Sequence, residues 1–219
     1  MLQENALTTL SAVKMKLGIA LSDDSSDELL SFLINDASDT FARATDRQWI
    51  YKENYEERVD CEDYQKRITV SDHLPIKSVD SIHFEENEID PDSYFLESKN
   101  LGWISQKRGL WRSTTYAIDS INPIPAGSSL LYTVKYTGGY VTPLQAFNDP
   151  SLTRDLPYDI EQAVITLALF RFYSANRDES IDSMTVLGDS VKYGGNRTSI
   201  SGSSIFDQVV RKYQRIEVL

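Results

Sequence analysis

The sequence holds a single cysteine, Cys61, and two histidines, His73 and His83, in 219 residues. One cysteine excludes an internal disulfide framework and fits a reducing compartment. The histidines lie ten residues apart, with Cys61 twelve residues ahead of the first, a spacing that matches no zinc-binding pattern. Apolar runs are short, and none approaches the roughly 20 residues that a membrane-spanning helix needs. The start, Met1-Leu2-Gln3-Glu4-Asn5, lacks the basic residues and apolar block of a signal peptide. Positive charge is scarce too: 22 Lys and Arg face 33 Asp and Glu, a net charge of −11. That balance argues against gripping nucleic acid through a broad basic surface, because such affinity comes largely from cations on phosphates. An acidic wall beside a duplex would instead let it slide.

Catalytic and metal-binding patterns are equally sparse. Gly188-Asp189-Ser190 lacks the second glycine of a nucleophile elbow. Gly138-Gly139 and Gly194-Gly195 are not set as phosphate loops. Asp23, Asp24, Asp27 and Glu28 lack the glycine and terminal glutamate of a calcium loop, and they read as the acidic approach to a helix. The reading is therefore of a chain with no catalytic residues, no metal and no cofactor, which is not an enzyme.

What the sequence does contain is a sharp change of periodicity. Leu7 to Leu17 reads as a first helix, capped by Thr8 or Thr9 and ended by Gly18. A second helix, Ser25 to Ala44, starts at a Ser25/Glu28 capping box and carries one stripe through Leu30, Leu33, Ile34 and Phe41. From Tyr51 to Tyr140 the pattern turns to short alternating runs. The clearest is Tyr132 to Tyr136, which stops at the turn Tyr136-Thr137-Gly138-Gly139-Tyr140. A long helix follows from Leu156 to Asn176, with Asp159 and Glu161 in its first turn and Val164, Leu167 and Phe170 placed to face the second helix. Residues 178–203 read as a flexible loop. A last helix, Ile205 to Arg215, follows it, with Phe206, Val209, Val210, Arg211, Lys212, Tyr213 and Arg215 as its docking residues.

This order resembles the head-tail connector (adaptor) proteins of tailed bacteriophages. The resemblance rests on the short helix, acidic link and longer helix closed by Thr45-Asp46-Arg47-Gln48-Trp49. It rests also on the Tyr-Thr-Gly-Gly-Tyr strand end and on Leu156-Pro157-Tyr158-Asp159-Ile160-Glu161-Gln162-Ala163 opening a helix that ends in Phe172-Tyr173 and Asn176-Arg177. It implies an α+β fold: a helical bundle built from two long antiparallel helices plus short terminal helices, with an inserted small antiparallel β domain. Residues 1–50 and 141–219 would form the helical domain, and 51–140 the insertion.

As function, the resemblance implies a virion protein of the phage neck, made in the host cytoplasm. Twelve copies would form a ring joining the portal protein to a stopper or tail protein, continuing a DNA channel that does not bind DNA specifically. The arm from about Asn196 to Leu219 would leave its own core to dock on the portal. The alternative is a carbohydrate- or protein-binding β module, with Trp103, Trp111 and the tyrosines as its platform and the helices as scaffold.

Overall fold

The computed structural model describes residues 1–61, 65–85, 87–112, 132–175 and 204–214, with four short strands at 118–119, 122–123, 183–186 and 189–192. The chain divides into two compact units, 51–140 and the combination of 1–50 with 141–219.

The discontinuous unit is mainly helical. Helix α1 spans Leu10–Leu17; the Thr9 side chain caps it by accepting from the Ala12 N–H, and Gly18, at φ 72°, closes it in the left-handed region. Helix α2, Asp27–Thr45, has Ser26 as its cap residue with no side-chain cap bond, so the expected Ser25/Glu28 box does not form. Asp27 and Glu28 still lie in its first turn, where the helix dipole favours negative charge. Helix α3, Pro143–Asn148, lies between Tyr140 and Leu156, where no helix is expected from periodicity. Its cues are local: a proline at the first position, and a reciprocal cap between Thr142 and Gln145. Helix α4 is Tyr158–Ala175 and helix α5 is Ser204–Tyr213.

Helix α4 packs with α1, α2 and α5. Ile160, Ala163, Val164, Ile165, Leu167, Ala168 and Leu169 are all buried, so this helix is enclosed on nearly every side rather than along one stripe. Its polar residue Glu161 is buried as well, and it is satisfied by the Thr8 hydroxyl at 3.1 Å and by Arg154 at 2.7 Å.

The continuous unit is built of antiparallel sheet. Strands β1 (Lys52–Val59), β2 (Arg67–Thr69), β3 (Ile76–Phe84), β4 (Asn87–Glu88), β5 (Tyr94–Ser98) and β6 (Trp103–Gln106) precede the short strands β7 (Ile118–Asp119) and β8 (Asn122–Pro123), and β9 (Tyr132–Gly138) completes the series. They form a four-stranded sheet in the order β1-β9-β3-β4, a three-stranded sheet in the order β2-β6-β5, and a β7-β8 ribbon. In β9, Tyr132, Val134 and Tyr136 are buried and alternate with half-buried Thr133, Lys135 and Thr137. They join Ile68, Val70, Ile76, Ile82, Ile104 and Trp111 in one core. In the helical unit, β10 (Ser183–Val186) and β11 (Asp189–Lys192) pair as a ribbon inside the stretch read as a loop; the rest of 178–203 lies outside the described residues.

The fold is thus α+β with antiparallel sheets of four and three strands and five helices among the described residues. It is not the expected bundle of two long antiparallel helices. Two physical facts overturn that expectation: α4 is enclosed by three helices rather than paired with α2 alone, and the strands of 51–140 form separate sheets of four and three strands rather than one small sheet.

Candidate interaction surface

Helix α5 lies against its own unit. Phe206 and Val210 are 0% exposed, and the Phe206 ring meets Phe41 edge-on with centroids 5.8 Å apart. Tyr213 meets Trp49 edge-on at 5.5 Å, and Trp49 packs on Phe41 at 5.4 Å. The Trp49 Nε1–H donates to Thr45 Oγ1 at 2.9 Å, so the indole is fixed at the end of α2. The expectation that this arm leaves its own core is therefore corrected for Phe206, Val210 and Tyr213. An amphipathic helix buries its apolar stripe wherever a complementary one exists, and here α2 and α4 supply it. Val209 is half-buried, Arg211 and Lys212 are exposed, and Arg215 lies outside the described residues.

A polar latch supplements this packing. The Asp159 carboxylate at the start of α4 accepts from Lys212 Nζ at 2.6 Å and from the Tyr213 hydroxyl at 3.0 Å. Burial alone would raise the Asp159 pKa, but the hydrogen bonds from Lys212 and Tyr213 outweigh it and hold the group below its ordinary 3.8. Burial and the bond to Asp159 push the Tyr213 phenol up. Because the folded carboxyl is the stronger acid, the latch contributes fully above pH 3.8 and is lost as pH falls through the lower, folded value. Partial exposure keeps the effect below about 1 kcal/mol. Asp159→Asn is accordingly expected to lower the melting temperature slightly at neutral pH, with the difference from the parent chain vanishing in strong acid. A constant difference across that range would show that the carboxylate charge is not what matters.

The residues expected at the α2–α4 contact lie as follows. Leu30, Leu33, Ile34, Phe41, Val164 and Leu167 are buried and Phe170 is half-buried. Arg171 reaches across to Asp36, and donates to Thr40 Oγ1 at 3.0 Å.

At the other end of α2 the surface is open. The N-terminal residues are pinned along α2 by the Gln3 N–H on Asn35 Oδ1 at 2.9 Å and the Leu7 N–H on Ser38 Oγ at 3.1 Å. Between them, α1 and α3 lies a cavity of about 320 Å³ walled by Leu2, Leu10, Leu21, Leu144 and Phe147. A more open hollow of about 770 Å³ continues from it, sharing Leu2, Leu10 and Leu144 and adding Glu4 and Glu28. Lys14, 3% exposed, is sealed in the wall by an ion pair with Asp27 and a 2.7 Å bond to the Asp23 carbonyl. Leu21 and Phe147 are 60% and 77% exposed, so this end of the unit presents apolar side chains under an acidic rim. Sequence reading missed this groove because it takes four separate segments to make it.

In the β unit, the strand-turn residues have structural roles. The buried Tyr136 hydroxyl shares its single proton between two acceptors, Glu57 Oε2 at 2.7 Å and the Asp72 carbonyl at 2.5 Å; burial and then the Glu57 bond push its pKa far up. Tyr55, held on Asp72 at 2.9 Å, is pushed up to about 12, by burial first and that bond second. Both phenols therefore serve as fixed donors. Gly138 is the last residue of the β9 ladder, opposite Lys52 and Ile76, and Gly139 follows it at φ 84°, so the strand stops within the glycine pair. Tyr140 accepts from the Tyr51 N–H at 2.8 Å. Trp111 is 1% exposed, buried in the core, and Trp103 is half-buried with the Arg67 guanidinium 4.5 Å from its ring centre. The two therefore do not form the open aromatic platform of the alternative reading. No group of three His, Cys, Asp or Glu side chains among the described residues converges as a metal site would require.

No established family profile matches the sequence, and no curated protein matches it. Solved structures do share its fold. One is a chain from the neck of an empty gene transfer agent (GTA) particle computed with C6 symmetry. It has a TM-score of 0.57 and 13% identity, over 99% of this chain and 93% of that one. Another is a chain from the virion of a native GTA particle, with a TM-score of 0.52 and 12% identity, over 100% of this chain and 95% of that one.

Proposed function

We propose that this chain is a structural protein of the neck of a phage-like particle. The observation that carries the reading is the whole-length similarity of fold to a chain from a particle neck, which covers 99% of this chain and so includes both units. In this reading the chain assembles as a ring of twelve copies, a number compatible with the C6 symmetry of that neck. The ring sits between a portal protein and a stopper or tail protein, and its subunits do no chemistry. The net charge of −11 suits a channel wall that DNA passes without being held. No described helix is long and apolar enough to cross a membrane.

The test is imaging of particles assembled with a tagged chain, paired with deletion of its gene. The expected outcome is label confined to the neck, and DNA-filled heads without tails when the gene is removed. Label on the capsid shell or at the tail tip would overturn the assignment.

A further inference from the structure

The helical unit is chemically polar along α2. Its N-terminal end carries the apolar groove with Glu4 and Glu28 at the rim, and exposed Asp23 and Asp24 follow α1 nearby. Its C-terminal end carries α5, packed through Phe206 on Phe41. Asp27 and Phe41 are fourteen residues apart on one helix, so the two ends are separated by about 21 Å.

With Phe206, Val210 and Tyr213 turned inward and the Lys212 ammonium held by Asp159, helical spacing puts Gln208 and Arg211 on the opposite face of α5, with Ile205 at its edge at 38% exposure. Arg43, on the last turn of α2, is also exposed at this end. A cationic face with an aliphatic residue at its edge thus stands at one end of the unit, and an acidic groove with aliphatic walls at the other. Packing on α2 and α4 holds α5 in place, so this face cannot fold into the groove of its own chain.

We propose that a second copy of this chain docks the outward face of its α5, carrying Arg211 and Gln208 with Ile205 at its edge, over the groove formed by Leu2, Leu10, Leu144 and Phe147 and rimmed by Glu4 and Glu28. The occupant is argued from charge. In a chain of net charge −11, an exposed cationic helix face is the surface that an acidic groove selects, while the acidic remainder of a neighbour is repelled. Two different patches at opposite ends make the contact heterologous, and repetition of a heterologous contact closes a ring when the rotation between neighbours allows. The inference rests on the neck-subunit reading and names the surfaces through which neighbours would meet.

Charge exchange in the full chain tests it by sedimentation velocity across the micromolar range. The parent chain is expected to associate by mass action. Arg211→Glu alone and Glu28→Lys alone should each weaken association about tenfold, and the chain carrying both should recover it, because the complementary pair is restored with reversed sign. Melting curves of all four chains confirm that these exposed positions leave the fold intact. A parent chain that stays monomeric, single reversals without effect, or a doubly reversed chain as weak as the single ones would each overturn the docking. A chain that stays monomeric and is still found in necks sinks only this contact. One that associates as described but is absent from necks sinks the neck assignment instead.

Discussion

Replacing Phe41 by alanine is expected to destabilise the helical unit by about 3 to 5 kcal/mol, the usual cost of deleting a fully buried phenyl ring. Phe41 is 0% exposed, and its ring touches both Trp49 and Phe206. The cavity left behind would open at the contact that holds α5 on α2. Neighbouring rings cannot easily collapse into it, because the Trp49 indole is fixed by its bond to Thr45 and Tyr213 is held by Asp159. Urea unfolding followed by helical circular dichroism measures the loss. A change under about 1 kcal/mol would mean that α5 does not lean on this residue, and the inward face assigned to it would be wrong. Leu167→Ala, 1% exposed on α4, should cost a comparable 2 to 5 kcal/mol.

The corresponding weak point of the β unit is Gly138. A Cβ placed there would lie 2.2 Å from the His73 carbonyl oxygen and 3.2 Å from that of Pro75. Neither can retreat at low cost: the Pro75 carbonyl accepts from the Gly139 N–H at 3.0 Å, and the adjoining Asp72 carbonyl is held by the Tyr136 hydroxyl. Gly138→Ala is therefore expected to destabilise the β unit by about 3 kcal/mol, at the upper end of what overpacking costs. The contrast is Gly109→Ala. Gly109 has φ 84° with nothing within 4 Å of its added carbon, so only the conformational cost of about 1 to 2 kcal/mol applies. Thermal denaturation of the two variants should show Gly138→Ala melting well below Gly109→Ala. The reverse order would mean that the His73 segment is soft enough to move aside.

Much of the local structure was legible in the residues. The alternation of Tyr132, Val134 and Tyr136 marks a half-buried strand because successive side chains in a strand point to opposite faces. Gly18 marks the end of α1 because only a residue without a Cβ takes that left-handed turn at no cost. The Thr142, Pro143 and Gln145 signature of α3 is present in the residues as well. Strand β1, Lys-Glu-Asn-Tyr-Glu-Glu-Arg-Val, was not legible. Five of its eight residues are charged, and it becomes a strand because β9 supplies its hydrogen-bonding partner at the sheet edge, where charged side chains guard against further pairing.

The candidate surface divides in the same way. By itself the sequence determined that α5 would be amphipathic and cationic, because those properties repeat within two or three turns of one helix. Only the tertiary structure decided which face of it is used up. Phe206 meets Phe41 across 165 positions of chain, and no local periodicity records which of several apolar stripes a helix will choose. The acidic groove likewise exists only once the N-terminal residues, α1, α2 and α3 have been brought together. Local sequence sets what each segment can bury, and long-range packing, through the shapes and charges that remain outside, sets what is left for a partner.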